Sequence, residues 1–259
     1  MAKLAGLLAG HTSSDGVAID ERVIEAGDWT GAEAARLVLR RSEVEIAILE
    51  TARGGILRRG LGVDRADAAI VTNVSADHLG EHGVHDVATM ARVKAVCARA
   101  VPRGGKVVLN ALDAESLRLA PMLSADFVLF SRDASAPALA PHLASGHHAF
   151  VAEHDALVHV SPGGRDVLAR IDEVPLTFGG AARYNVENCL GAAALGWSLG
   201  LPREAIVTAL RTFGAVPGDN RGRGSVVTLE GGVRALLDFG HNPAGITELA
   251  ALARALAGA

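Results

Sequence analysis

Aromatic residues are scarce in this 259-residue chain, making up 3% of it with one tyrosine and two tryptophans. Such scarcity argues against a base-stacking platform for single strands and against an aromatic-rich docking face. Cysteine is scarcer than in most chains: Cys97 and Cys189 are the two present. They lie far apart inside apolar helical patterns, so they read as small core residues rather than as a disulfide or a nucleophile, and they suit a reducing cytoplasm. A basic surplus is missing as well, since 25 Lys plus Arg face 29 Asp plus Glu for a net charge of -4. With no basic stripe, nucleic acid is not an expected partner. No apolar run reaches the roughly 18–20 residues that cross a bilayer. The short stretch over residues 4–10 (LAGLLAG) has only Lys3 as a basic flank, which is weak for a signal peptide. No membrane partner is expected.

What is abundant is Ala, Val, Leu and Gly: 49% of the residues are hydrophobic, 30 are glycine, and the mean hydropathy is +0.27. Short β-branched runs alternate with helical patterns, the mark of βαβ units and a largely parallel sheet. The clearest strands are predicted over residues 45–49, 68–72, 106–110 and 127–130. Each is a nearly continuous apolar run, as expected of strands covered on both faces. Helices are predicted over 31–40, 86–101, 186–199 and 203–213, the second with Asp86 as its N-cap. Between residues 135 and 175 short alternating pieces broken by Pro141, Pro162, Gly163 and Gly164 predict a small antiparallel excursion. A second break, Val216-Pro217-Gly218-Asp219-Asn220, precedes two strand candidates, 225–229 and 233–238, around Glu230-Gly231-Gly232, and then a helix over 245–256. A domain boundary is placed there, and residues 217–259 are too few to close a full sheet with a core of its own.

Four constellations carry candidate chemistry. Glu50-Thr51-Ala52-Arg53-Gly54-Gly55 follows a buried strand, at the carboxyl end where open α/β sheets bind ligands. The glycines permit close backbone approach and Arg53 can clamp an anion, although a plain turn with solvated charges also accounts for them. Thr72-Asn73-Val74-Ser75-Ala76-Asp77-His78 ends the next strand, with Lys94 on the helix beyond. Imidazole and carboxylate there suit a divalent cation that also holds phosphate oxygens. A zinc-type cluster of His78, His82 and His85 would need a continuous helix that Gly80 and Gly83 disfavour, and Lys94 alone fits a snorkelling lysine. Arg183-Tyr184-Asn185-Val186-Glu187-Asn188 puts two amides three apart at a helix start, able to read an adenine edge, with Asn185 as a simple N-cap the alternative. Asp238-Phe239-Gly240-His241-Asn242-Pro243, preceded by Gly222-Arg223, is a strand end whose breakers fit a turn but whose Asp, His and Asn a turn does not explain together.

In this order the segments resemble the Mur ligase family. The carriers are Ser14-Asp15-Gly16, residues 27–31 (GDWTG), 49–61 (LETARGGILRRGL), 72–80 (TNVSADHLG), 175–180 (PLTFGG), 184–188 (YNVEN) and 238–243 (DFGHNP). The resemblance implies an α/β fold with the three-layer, mostly parallel sheet of the Mur ligase central domain over residues 1–216. The start of a Rossmann-like C-terminal domain would follow over 217–259. It implies an ADP-forming acid–amino acid ligase that makes an amide through an acyl phosphate, with ATP and Mg²⁺ as cofactors and amino-acid or peptide-like carboxylates and amines as substrates. By motif, Glu50 and His78 match ligands or close neighbours of the catalytic Mg²⁺, and Lys94 matches a lysine that many members carry as a carbamate near a second cation. Asn185 and Asn188 match the adenine-proximal amides. Arg223 and Asp238 match residues that close over phosphate and ribose, with His241 and Asn242 shaping the same loop. Asp15 and Arg53 are assigned to the acyl-substrate side.

Two family features are not among these residues. A glycine-rich loop ending in Gly-Lys-Ser/Thr should cradle the transferring phosphate, whereas the only Gly-Lys here, Gly105-Lys106, continues into a strand pattern. Residues 3–11 instead resemble the helix that follows that loop. The C-terminal domain is likewise expected to run longer. The reading is therefore an incomplete ligase, with a non-catalytic nucleotide- or protein-binding relative as the alternative. Ala-rich helices, and apolar surface that the rest of a C-terminal domain would cover, predict a homo-oligomer or a complementing ligase chain.

Overall fold

The computed structural model describes the chain apart from residues 77, 78, 217, 221 and 259. A first sheet has the order β3-β2-β1-β4, formed by β1 (Ala9–Ser13), β2 (Gly16–Ile19), β3 (Arg22–Ala26) and, beyond helix α1 (Ala32–Leu39), β4 (Ile46–Leu49). Its hairpins are antiparallel, but β1 and β4 run parallel with Thr12 opposite Leu49. Their carboxyl ends, Ser13 and Glu50, therefore emerge side by side. Helix α2 (Arg53–Arg59) leads to a second sheet. This one contains β5 (Ala68–Val71), β6 (Lys106–Asn110) and β7 (Asp126–Ser131), separated by α3 (Val87–Arg99) and the short α4 (Ala114–Leu117). After α5 (Leu139–Ala144) come β8 (Ala149–Glu153), β9 (Ala156–Ser161) and β10 (Gly164–Arg170). The order is β10-β9-β8-β7-β6-β5, parallel from β5 to β8 and antiparallel from β8 to β10. The antiparallel excursion thus extends the parallel sheet as a meander.

Continuous apolar strands are buried on both faces because successive side chains point to opposite sides. Val107, Leu109 and Leu129 face α3 and α5, whereas Val108, Val128 and Phe130 face α6 (Arg183–Ser198) and α7 (Arg203–Thr212). This gives the expected three layers. These strands nonetheless divide between two sheets, because among the described residues β4 pairs with β1 and not with β5. The chain ends in a hairpin of β11 (Arg223–Thr228) and β12 (Arg234–Asp238), followed by α8 (Pro243–Ala257). No helix among the described residues is long and apolar enough to cross a membrane.

Three local expectations are corrected. Residues 3–11 do not form a helix: a 3₁₀ turn, Lys3–Ala5, stops at Gly6 with φ 78°, and β1 begins at Ala9. Gly10 fits a strand packed beneath α1, since a Cβ there would stand 2.5 Å from Val38 Cγ1. Asn185 is not an N-cap, because the helix starts at Arg183 and Ala182 occupies that position. Gly54 and Gly55 lie inside the first turn of α2 rather than in a turn before it. Asp86 does cap α3, its Oδ1 accepting from the Thr89 N–H at 2.7 Å. Gly105-Lys106 opens β6, with the Lys106 ammonium 5.5 Å over the Trp197 ring.

At the amino edge of the second sheet, His148 Nδ1 lies 2.9 Å from His159 Nε2, and both rings contact Trp197. Nearby, His142 stacks on His147. Burial, foremost, holds His142, His148 and His159 below the ordinary imidazole range. The unfolded chain therefore binds protons that the folded one refuses, so stability drops as pH falls below about 6.5 and is fully present above it. Melting temperatures between about pH 5.5 and 7.5 should show this slope, and His159→Gln should flatten it.

Candidate active site

The carboxyl edge of the second sheet opens into a cleft of about 870 Å³, roofed by β12 and α8 and floored by the N-terminal half of α6. Asn185, Asn188, Arg223, Asp238, His241 and Asn242 all line it, together with Asn73 and Ser75 from the loop after β5. Residues widely separated in sequence thus converge on one space. Asp15, Glu50, Arg53 and Lys94 do not line it, and His78 lies outside the described residues.

Several of these side chains already have structural duties. The Asn185 amide is buried and donates to the Leu176 carbonyl at 2.8 Å, while its oxygen accepts from Asn188 at 3.4 Å. Asn185 therefore fixes the turn before α6, and the exposed Asn188 presents its amide to the cleft. Asp238 Oδ1 accepts from the Gly240 N–H at 2.8 Å, and Asn242 Oδ1 caps α8 by accepting from the Gly245 N–H at 2.8 Å, with Pro243 in the first helical turn. These bonds account for Asp and Asn in the polar turn that sequence left unexplained.

The Asn73 loop is held from three sides. Asn110 at the end of β6 donates to the Thr72 carbonyl at 3.0 Å, the Asp113 carboxylate accepts from the Val74 N–H, and the Lys94 ammonium donates to the Asn73 carbonyl at 2.8 Å. Lys94 is thus a loop-anchoring group rather than a lysine extended along the surface. Arg53 turns to the adjoining loop, its Nη2 donating to Glu81 Oε2 at 2.5 Å. Residues 79–86 form turns, with Gly80, His82 and Gly83 at positive φ, so no helix gathers His82 and His85.

Beyond the cleft, Arg223 Nη2 donates to Ser14 Oγ at 2.7 Å and lies 3.9 Å from Asp15 Oδ2. Glu50 belongs to the same group. Desolvation raises its pKa above the ordinary carboxylate range, against the Ser14 backbone and the Arg223 charge, which favour ionisation. Parallel pairing of β1 with β4 is what brings Asp15 and Glu50 to this edge.

Sequence reasoning missed the polar wall between α6, β7 and α8. Arg132 follows β7 and stands between Glu187 and Glu248, and Asn110 donates to Glu187 Oε1 at 2.8 Å. Burial raises the Glu187 pKa. The Tyr184 phenol is pushed up to about 12, first by burial and then by Asp238 and Glu248, and Cys189 to about 11 by burial alone. Arg132 sits at a strand's carboxyl end, and that address was the available signal. Among the described residues, both cysteines are free.

The residues present fit a nucleotide. The cleft volume lies within the roughly 300–1,000 Å³ typical of small-molecule sites. Two buried polar atoms on its wall, Tyr184 Oη and Arg132 Nη1, have no hydrogen-bond partner among the described residues. For a cation, no group of three His, Cys, Asp or Glu side chains is gathered among the described residues. Mg²⁺ does not require one, since one or two carboxylates, substrate phosphates and water satisfy it. Glu50 offers an oxygen donor of that kind.

Residues 1–196 match the Mur ligase middle domain family. Cyanophycin synthetase from Nostoc sp. (strain PCC 7120) is 36% identical over 252 residues, covering 97% of this chain and 28% of that protein. Cyanophycin synthetase from Synechocystis sp. (strain PCC 6803) is 38% identical over 93% of this chain and 27% of that protein. UDP-N-acetylmuramate--L-alanine ligase from Xanthomonas campestris is 30% identical over 72% of this chain and 36% of that protein. The chain thus spans little more than a quarter of the cyanophycin synthetases it matches. Among solved structures, MurF from Acinetobacter baumannii superposes with a TM-score of 0.68 at 18% identity, over 97% of this chain and 50% of that one. An FPGS–AMPPCP complex superposes with a TM-score of 0.58 at 17% identity, over 98% of this chain and 67% of that one.

Proposed function

This chain belongs to the Mur ligase family, and from that premise we propose that it forms the nucleotide-facing part of an ATP-dependent acid–amino acid ligase. The observation that carries the proposal is the convergence of Asn188, Arg223, Asp238 and His241 on one cleft of about 870 Å³. AMPPCP, an ATP analogue, is held by a protein of this fold. In this reading residues 1–216 are the central domain and residues 217–259 open the C-terminal domain. The two free cysteines fit a cytoplasmic setting.

In the chemistry proposed, a substrate carboxylate oxygen attacks the terminal phosphorus of ATP and expels ADP. An amine then attacks the acyl carbon, expels phosphate and loses a proton to form the amide. Such transfers depend on positioning and charge stabilisation more than on covalent catalysis. Asn188 would orient the base, with Asn185 fixing its helix start. Asp238, His241 and Asn242 would shape the loop over the ribose. Arg223 would supply positive charge between the nucleotide and the Asp15 side, where an amino-acid or peptide-like acid would bind. Arg53, committed to Glu81, would hold the loop beside it. Glu50 and His78 would hold Mg²⁺, which supplies phosphate charge neutralisation when bound. Lys94 keeps the Asn73 loop against the cleft.

Calorimetric titration of the chain with AMPPCP and Mg²⁺ tests the reading. Binding is expected, and Arg223→Ala should weaken it about tenfold or more, the scale of a lost charge-assisted hydrogen bond. His78→Ala should reduce its Mg²⁺ dependence. Absence of binding, or equal affinity in Arg223→Ala, would favour a family relative that does not hold nucleotide in this cleft.

A further inference from the structure

Helix α8 stands over the cleft with little apolar support. Leu252 is its one fully buried residue, while Val227 and Leu237 of the preceding hairpin, and Phe239 just after it, are exposed. Its placement therefore draws on polar contacts at two ends of the cleft. At one end the hairpin's Arg223 reaches Ser14. At the other, Arg132 Nε lies 3.3 Å from Glu187 Oε2 on α6, and Arg132 Nη1 lies 3.6 Å from Glu248 Oε1 on α8.

The two halves of this second contact differ. Glu187 is fixed, because its Oε1 accepts from Asn110 Nδ2 at 2.8 Å in the body of the fold. Its carboxylate is desolvated and feels Glu248 as a like charge. Toward α8 the contact is looser, for Arg132 Nη1 is buried, stands 3.6 Å from Glu248 Oε1 and makes no hydrogen bond among the described residues. A planar guanidinium can bind one carboxylate through Nε while its outer nitrogens address another group. We propose that Arg132 is the positioning residue that sets where α8 stands over the cleft, by screening Glu187 from Glu248. Only the identity of the ligand beneath α8 rests on the nucleotide reading above.

The charge arrangement gives the test a sign. Arg132→Met leaves two carboxylates facing across the α6–α8 contact, so α8 is driven away. Adding Glu248→Gln removes the repulsion and should return α8 toward its place. Amide hydrogen exchange over residues 243–257 should accelerate about fivefold in Arg132→Met, the scale of a partly exposed ion pair, while β6 and β7 stay protected. The double variant should exchange more slowly than Arg132→Met. Arg132→Lys, which keeps the charge but loses the fork, should fall between wild type and Arg132→Met. Unchanged exchange in Arg132→Met, exchange that rises equally in β6 and β7, or a double variant faster than Arg132→Met would each overturn the proposal. AMPPCP affinity, measured on the same variants, should follow the exchange order. If the wild-type chain binds no AMPPCP, the nucleotide reading fails while the exchange series still decides the role of Arg132.

Discussion

Phe130→Ala is expected to lower stability by about 3–5 kcal/mol, the usual cost of deleting a large aromatic side chain from a packed interior. The ring is 1% exposed, on the α6 face of β7 with Val108, Val128 and Leu190. Against a total stability of roughly 5–15 kcal/mol, a loss of that size is a large fraction. Urea unfolding should show a lower midpoint with an unchanged slope. Packing ties this result to the cleft, because Phe130 supports α6, the helix that carries Glu187 and Asn188, and stands two residues before Arg132. A Cβ on Gly191 would lie 3.5 Å from the Phe130 ring and 2.9 Å from Ile70 Cδ1. With the ring gone, Gly191→Ala fills part of the space and gains helix propensity, so the double variant should be more stable than Phe130→Ala.

The legible part of the fold was the part governed by local pattern. Residues 106–110 read as a buried strand because every position after Lys106 is compatible with two covered faces, and β6 has those bounds. The N-terminal strands were hidden because Gly10, His11 and Ser13 carry no strand pattern, and their pairing with residues 46–49 is set by contacts distant in sequence. For the site, motif resemblance located the residues around the cleft, but it did not distinguish their roles. Asn185 looked like an amide offered to a ligand, whereas the Pro175–Thr177 turn brings the Leu176 carbonyl onto its Nδ2. Nor could sequence unite Arg132 with Glu187 and Glu248, which belong to three different elements and carry no common local spacing.

The two glycines of the LETARGG motif separate a ligand-approach role from a packing role. Gly55 faces backbone of its own chain: an added Cβ would stand 2.7 Å from the Thr30 carbonyl oxygen and 3.1 Å from Gly31 Cα. That carbonyl already accepts from the Ala52 N–H at 3.1 Å, so the contact holds the entry of α2 against the segment before α1. Backbone cannot rotate away as a side chain does, and Gly55→Ala should cost about 1–3 kcal/mol, the range for overpacking, with Gly55→Val costing more. Gly54 is the internal control. Its added Cβ would meet only the Arg58 guanidinium end, at 3.3 Å, which can swing aside, so Gly54→Ala should be neutral or stabilising in a helical turn. Thermal melts of the two variants decide between the roles. If both glycines served to admit a ligand, neither change would alter the melting temperature of the free chain. A loss confined to Gly55→Ala means that the motif closes α2 onto Thr30 and Gly31 and in doing so sets the positions of Glu50 and Arg53.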